Sequence, residues 1–224
     1  YADGGGQILF PVATSYTGYN YGDTTIQASG LGSRIDLSHL LTFYGGGEYE
    51  DSHGHGHYYA TTVNVVAGGE VELAGEVSHR NSITVDGTYS KLGASGITKL
   101  GGTVLTVNTP GTMTFNAATE VTDSSVTAAP GVTLEFAAAT ILQNVNLAST
   151  AGGEILFPVA TSYTGYNYGD TTIQASGLGS RIDLSHLLTF DGGGGYVDSH
   201  GSGHAYATYV NALAGGKVAL SGVL

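Results

Sequence analysis

The chain has 224 residues, 37 of them glycine, with no cysteine and no tryptophan, and carries a net charge of −12 from 18 acidic and six basic side chains. With no basic stripe it does not suit nucleic acid or an anionic membrane surface. Without cysteine it has no disulfide framework, and it has no apolar run of the ~18 residues that a membrane span needs. The glycines keep no three-residue period, which excludes a collagen-like chain.

Residues 8–43 recur without change as residues 155–190, and the likeness extends over residues 5–77 and 152–224, 73 positions with 14 differences. Repetition this close marks an array architecture, in which stacked units bury one continuous core. The chain therefore reads as a single solenoid section over residues 1–224, with one repeat copy at 5–77, intervening coils at 78–151 and a second copy at 152–224. It opens at Tyr1 and closes on the strand-like Val223-Leu224. It is thus expected to be a section of a longer chain, with that chain's neighbouring coils as its first partners.

In chain order, apolar-x-apolar triplets follow glycine pairs or turn residues: Ile8-Leu9-Phe10, Ile35-Asp36-Leu37, Val71-Glu72-Leu73, Met113-Thr114-Phe115, Val132-Thr133-Leu134, Ile155-Leu156-Phe157, Ile182-Asp183-Leu184 and Val218-Ala219-Leu220. Period-two alternation is the pattern of a strand with one buried face. Successive starts lie 27, 36, 42, 19, 23, 27 and 36 residues apart. The gap of 42 fits two coils of about 21, a solenoid rung length. Further strands are expected at Thr25-Ile26-Gln27, Ile83-Thr84-Val85, Val104-Leu105-Thr106-Val107 and Thr140-Ile141-Leu142. A short helix over residues 33–43 is the alternative there, since Leu37, Leu40 and Leu41 also have helical spacing. The predicted fold is all-β: a right-handed parallel β-helix of about nine coils, roughly 40 Å long at ~4.8 Å per coil, with glycine-rich loop insertions. The copies differ at Glu70/Lys217, Glu72/Ala219, Ala74/Ser221 and Glu76/Val223 while Val71/Val218 and Leu73/Leu220 keep their type, so the variable positions are expected to face outward.

The 36-residue coils carry an insertion at residues 44–57 and again at 191–204. Asp51, His53, His55 and His57 in the first, with Glu50 beside them, are a candidate site for zinc or a similar transition metal. The second copy retains Asp198, His200 and His204 but has Ser202 for His55 and Val197 for Glu50, so a solvated polar loop is the competing reading. Calcium would look to Asp23, Asp36, Asp170 and Asp183, although the calcium-binding Gly-Gly-x-Gly-x-Asp nonapeptide is absent and Asp36 and Asp183 pair as readily with Arg34 and Arg181. No motif demands a cofactor. Asp51-Ser52-His53 places triad residue types side by side, but a triad is a constellation in space and not a run in sequence.

Tyr16, Tyr19 and Tyr21 recur as Tyr163, Tyr166 and Tyr168. Exposed tyrosines beside Asn20, Asp23 and Gln27 could stack on sugar rings while the polar groups bond the hydroxyls, which makes surface polysaccharide a candidate partner; the competing reading packs them at a coil corner.

Coils opening with residues 68–75 (Gly-Gly-Glu-Val-Glu-Leu-Ala-Gly) or 151–157 (Ala-Gly-Gly-Glu-Ile-Leu-Phe) resemble the large repetitive surface proteins of bacteria, autotransporter passengers and filamentous haemagglutinin-like adhesins. The resemblance covers nearly the whole chain through loose motifs. It implies a right-handed β-helix, export to the cell surface, and a structural or adhesive role without catalysis. Pectate-lyase-like enzymes resemble it in coil pattern only. They need several aspartates with Arg or Lys in one groove, and the basic residues here are Arg34, Arg80, Lys91, Lys99, Arg181 and Lys217 alone. Duplicated patches would favour binding or structure, and one unpaired pocket in the region of residues 78–108 would favour catalysis.

Overall fold

The computed structural model describes residues 1–221. Each strand is too short to be stable alone, so its alternating pattern is satisfied by stacking: apolar side chains turn inward and polar ones outward, coil upon coil. The result is a right-handed parallel β-solenoid of about eight turns, close to the expected nine. Among the described residues there is no helix. Residues 33–43 form the strands Arg34–Leu37 and Thr42–Tyr44, with Leu37 and Leu40 buried in the core and Leu41 in solvent.

Three faces make the rod. On the first, Thr24–Ser29, Thr61–Val66, Asn81–Asp86 and Thr103–Val107 lead through later parts of Glu120–Ala128 and Ile141–Thr150 to Thr171–Ser176 and Gly203–Leu213. Its inward row runs in register through Ile26, Val63, Ile83, Leu105, Val126, Leu147 and Ile173 to Val210. The second face carries Ile8, Ile35, Val71 and Leu92, then Met113, Leu134, Ile155, Ile182 and Val218. The third stacks Tyr16, Phe43, Val77, Leu100, Val121, Leu142, Tyr163 and Phe190.

Two spacings are corrected by this register. Met113 pairs with Leu134, not Val132, and Leu134 pairs with Ile155, so the expected 19 and 23 become two equal steps of 21. The triplet pattern misplaced the strand by one alternation because Val132 and Leu134 both face inward. Between Leu73 and Met113, Val71 pairs with Leu92, again 21 residues on. No ladder joins residues 91–94 to Gly111–Thr114.

The core is a column of identical contacts. Phe115, Phe136 and Phe157 stack with ring centroids 4.4 and 4.7 Å apart and planes within 10° of parallel. Glu70 and Glu72 are half-exposed while Val71 and Leu73 are buried, as the copy differences suggest; Ala74 departs from this pattern, at 8% exposure. The Glu76/Val223 difference involves a position outside the described residues.

Candidate functional site

The long insertions into the 21-residue coil all lie at one corner, where the third face turns into the first; a smaller irregularity, a bulged register over residues 72–76, lies between the second and third faces. In the central coils this corner is a tight left-handed turn, two residues long at His79 and Arg80 and a single residue at Gly102, Asp123 and Asn144. Asn and Asp tolerate that conformation because their short side chains bond locally, and Asn144 Nδ2 donates to Asp123 Oδ1 at 2.8 Å. In the 27-residue coils the same corner is a tyrosine loop, residues 18–23 and 165–170. In the 36-residue coils it is an antiparallel hairpin: Glu48–Glu50 against Gly56–Tyr58, and Gly193–Val197 against the start of Gly203–Leu213. Gly45, at the foot of the first hairpin, must lack a side chain because Asn81 Oδ1 fills the space a Cβ would need.

The corner brings the two sequence-predicted segments together. Tyr19 meets Tyr21 edge to face at 5.7 Å, Tyr21 meets Tyr49 of the hairpin at 4.9 Å, and Tyr49 stacks on His57 at 4.8 Å. The second copy repeats the series as Tyr166, Tyr168, Tyr196 and His204 at 5.7, 4.9 and 4.8 Å. These two aromatic ledges project from the same edge of the rod. Tyr21 and Tyr168 remain about 60% exposed. The central members, Tyr49 and Tyr196, were not singled out by sequence reasoning. A signal was present: they are constant between copies while their neighbours change, Glu48 to Gly195 and Glu50 to Val197.

Two of the expected contacts lie elsewhere. Tyr163 is fully buried, stacked on Phe190 at 4.9 Å; its hydroxyl donates to the Val145 carbonyl and is also within hydrogen-bond distance, 3.1 Å, of the Thr171 hydroxyl. Burial raises its pKa. Tyr16 stacks in the same way on Phe43 at 4.6 Å. Both sit in the inward row of the third face and belong to the core column; Tyr163 presents no ring to a ligand, whereas Tyr16, on the first coil, is half-buried.

The histidine loops are organised around an aspartate. Asp51 Oδ1 accepts the backbone N–H groups of His53 and His55 at 2.8 and 3.0 Å, and Asp198 Oδ1 does the same for His200 and Ser202 at 2.9 Å each. The His55 and His53 amides hold the Asp51 pKa down to about 2. The pKa of Asp198 is lowered in the same way, first by the Ser202 amide. His55 and His57 reach Asp51 Oδ2 only at 3.3 and 3.4 Å, His204 reaches Asp198 Oδ2 at 3.2 Å, and the rings of His53 and His55 lie 6.2 Å apart. Among the described residues no group of three His, Asp or Glu side chains converges on a point that would suit a metal. Replacing His55 by Ser202 leaves this turn intact, because the turn uses the amide and not the ring.

The calcium candidates are likewise engaged by the protein. Asp23 and Asp170 accept the Ala60 and Ala207 amides at 2.9 Å, tying each tyrosine loop to the returning hairpin strand. Asp36 pairs with Arg34 at 2.9 Å, and Asp183 pairs with Arg181. Ser52 and His53 contact each other at 3.4 Å in solvent, and Asp51 bonds the His53 amide and not its ring, so no triad forms.

Between the ledges the tight turns leave a trough of about 520 Å³, lined by Arg80, Ser82, Val104, Asp123, Asn144 and Asn146 among others. Arg80 closes its first end: its guanidinium lies 4.0 Å from the Tyr58 ring centroid and 3.5 Å from Glu48. A smaller depression of about 280 Å³ opens at the break in the second-face ladder, where Lys91 is its sole charged side chain. Both overlap residues 78–108. The trough brings one base and one acid, and Arg80 is paired with Glu48.

Fold and site together define a right-handed parallel β-solenoid with a duplicated lateral aromatic ledge. In comparisons with protein families, with curated proteins and with solved structures, nothing matches this chain.

Proposed function

We propose that this chain is a non-catalytic, structural and adhesive segment of an exported bacterial surface protein of the autotransporter or filamentous haemagglutinin-like kind, and that its ledges bind glycan. One observation carries this reading: the series Tyr19, Tyr21, Tyr49, His57, exposed at its first two rings and half-buried at the others, is reproduced as Tyr166, Tyr168, Tyr196, His204 with the same ring separations. Exposed aromatic faces bind the C–H faces of sugar rings, and polar groups beside them fix orientation. A duplicated ledge serves multivalent attachment; an enzyme needs one convergent site. The lyase-type reading has weaker support, because the acids and bases of the central coils do not gather at one point.

The test is binding of the folded protein to a glycan array, with and without calcium, beside the double variant Tyr21→Ala, Tyr168→Ala. Binding that the double variant loses, without calcium dependence, supports the reading. A folded wild-type protein that binds no glycan, or a double variant that binds as well as wild type, overturns it.

A further inference from the structure

The geometry points to one continuous binding track along the corner, in which the trough between the ledges holds the middle of a single linear, uncharged polysaccharide chain whose two ends lie on the two ledges. The inference rests on the glycan-binding reading and adds to it the form of the ligand, an extended neutral chain, and a central subsite that the ledges alone do not provide.

The first observation is alignment. The ladder from Phe43 to Phe190 takes six steps, through Val77, Leu100, Val121, Leu142 and Tyr163. At ~4.8 Å per coil, equivalent points of the two ledges are about 29 Å apart along the rod. The corner positions between them are all tight turns, so nothing protrudes from one ledge to the other. The trough begins where Ala60 and Arg80 meet the first hairpin. It ends at Asn146, whose Oδ1 accepts the Thr172 amide at 2.8 Å. The same outward row then continues through Thr172 to Tyr209, on the strand that forms the second hairpin.

The second observation is chemistry. The two outward rows of the first face nearest the corner, the first of which lines the trough, read Thr25, Thr62, Ser82, Val104, Ser125, Asn146, Thr172, Tyr209 and Gln27, Asn64, Thr84, Thr106, Thr127, Ala148, Gln174, Asn211. None is charged. On the second face the equivalent rows include Arg34, Asp36, Glu70, Glu72, Lys91, Glu135, Glu154, Arg181, Asp183 and Lys217. The side of the first face nearest the ledges thus offers hydroxyls and amides without charge, as suits a polyhydroxylated neutral ligand, and the acids Asp3 and Asp86 fall in its far outward row. An anionic polysaccharide would meet a protein of net charge −12 whose single trough cation, Arg80, is already paired with Glu48.

The experiment is calorimetric titration of neutral linear oligosaccharides, in the gluco, manno, xylo and galacto series, from disaccharide to octasaccharide, into the wild-type protein. Oligogalacturonates of the same lengths serve as the anionic comparison. Two variants plug the trough from outward positions of the first face, Val104→Arg and separately Ser125→Tyr, each checked for unchanged circular dichroism. The inference expects two short oligosaccharides per protein but one long one. Affinity should rise about a hundredfold as the chain becomes long enough to join the ledges, and the plugged variants should lose that rise while binding disaccharide unchanged. If long and short chains bind alike, two per protein, and the plugs have no effect, the track is wrong and the separate ledges stand. If the anionic series binds more tightly, the assignment to a neutral chain is wrong. If nothing binds at any length, the glycan-binding reading itself fails and the track fails with it.

Discussion

Tyr49 and His57 face each other across the first hairpin, ring centroids 4.8 Å apart and planes 13° from parallel, and Tyr196 and His204 reproduce both values in the second. In each case the two residues are direct cross-strand partners. An isolated two-stranded hairpin is marginal in water, and cross-strand aromatic pairs are a principal means of stabilising one. A ring from the tyrosine loop of the coil before, Tyr21 or Tyr168, reaches each pair, and in the second hairpin Tyr206 also stacks on Tyr196 at 6.4 Å. The hairpins therefore stand against the rod through the ring that sits in the middle of each ledge.

Removing that ring should release the hairpin and leave the rod. In Tyr49→Ala the amides of Glu48–Glu50 and Gly56–Tyr58 should lose protection in hydrogen exchange, while those of Thr61–Val66 stay protected and the melting temperature is nearly unchanged. Tyr196→Ala should do the same to the second hairpin alone. The first hairpin should retain more residual order than the second, because Arg80 over Tyr58 and beside Glu48 is an additional clasp that Ala205 and Gly195 cannot accept.

The core column should behave oppositely. Phe136 is fully buried between Phe115 and Phe157, so Phe136→Ala opens a cavity with no partner able to fill it and should cost about 3–5 kcal/mol in urea unfolding. Thr106→Ala, one of the outward positions of the first face, should change stability by no more than about 0.5 kcal/mol. Equal effects at the two positions would mean that the inward and outward assignments are misplaced.

Much of this was legible in the sequence because a solenoid repeats one local decision. Once Ile8, Ile35 and Val71 alternate with polar neighbours, stacking is the arrangement that buries them all, and the copy differences at Glu70 and Glu72 mark the outer row. What escaped was whatever depends on contacts between coils. Val132 and Leu134 are both apolar and both inward, so pattern alone could not choose which pairs with Met113. Tyr16 and Tyr19 look alike in sequence, yet Tyr16 falls in the inward row of a strand and Tyr19 in the loop after it. The histidines drew attention as metal ligands, whereas Asp51 shapes the loop through the backbone, which no side-chain pattern announces. The joining of tyrosine loop to hairpin depends on both insertions sharing one corner, and that follows from coil register.

The buried and exposed tyrosines of one repeat make an internal comparison. Tyr163→Phe leaves the Val145 carbonyl without its side-chain donor and removes the contact with Thr171, so it should cost about 1 kcal/mol while leaving glycan binding unaltered. Tyr166→Phe removes a hydroxyl from the surface, so it should leave stability unchanged. Urea denaturation of the two variants side by side separates the core role from the ledge role.

The hairpin turns should carry a pH dependence at the acid end. The Asp51 carboxylate is held to a pKa of about 2, chiefly by the His55 amide and then the His53 amide, below the ~3.9 of an unperturbed aspartate. A group whose folded pKa is depressed contributes its full stabilisation above the unfolded value and loses it as pH falls through the folded value. The turn should accordingly be unaffected from neutral pH down to about 4, weaken below that, and open as the carboxylate protonates near 2. In NMR titration the amide resonances of His53 and His55 should move together with a midpoint near 2, and those of His200 and Ser202 should follow Asp198, whose pKa is lowered in the same sense. Asp51→Asn keeps an oxygen facing both amides, so the turn should survive at neutral pH and the titration should vanish. A midpoint near 4 in the wild-type protein, with the amides unmoved, would mean that the carboxylate does not hold the turn.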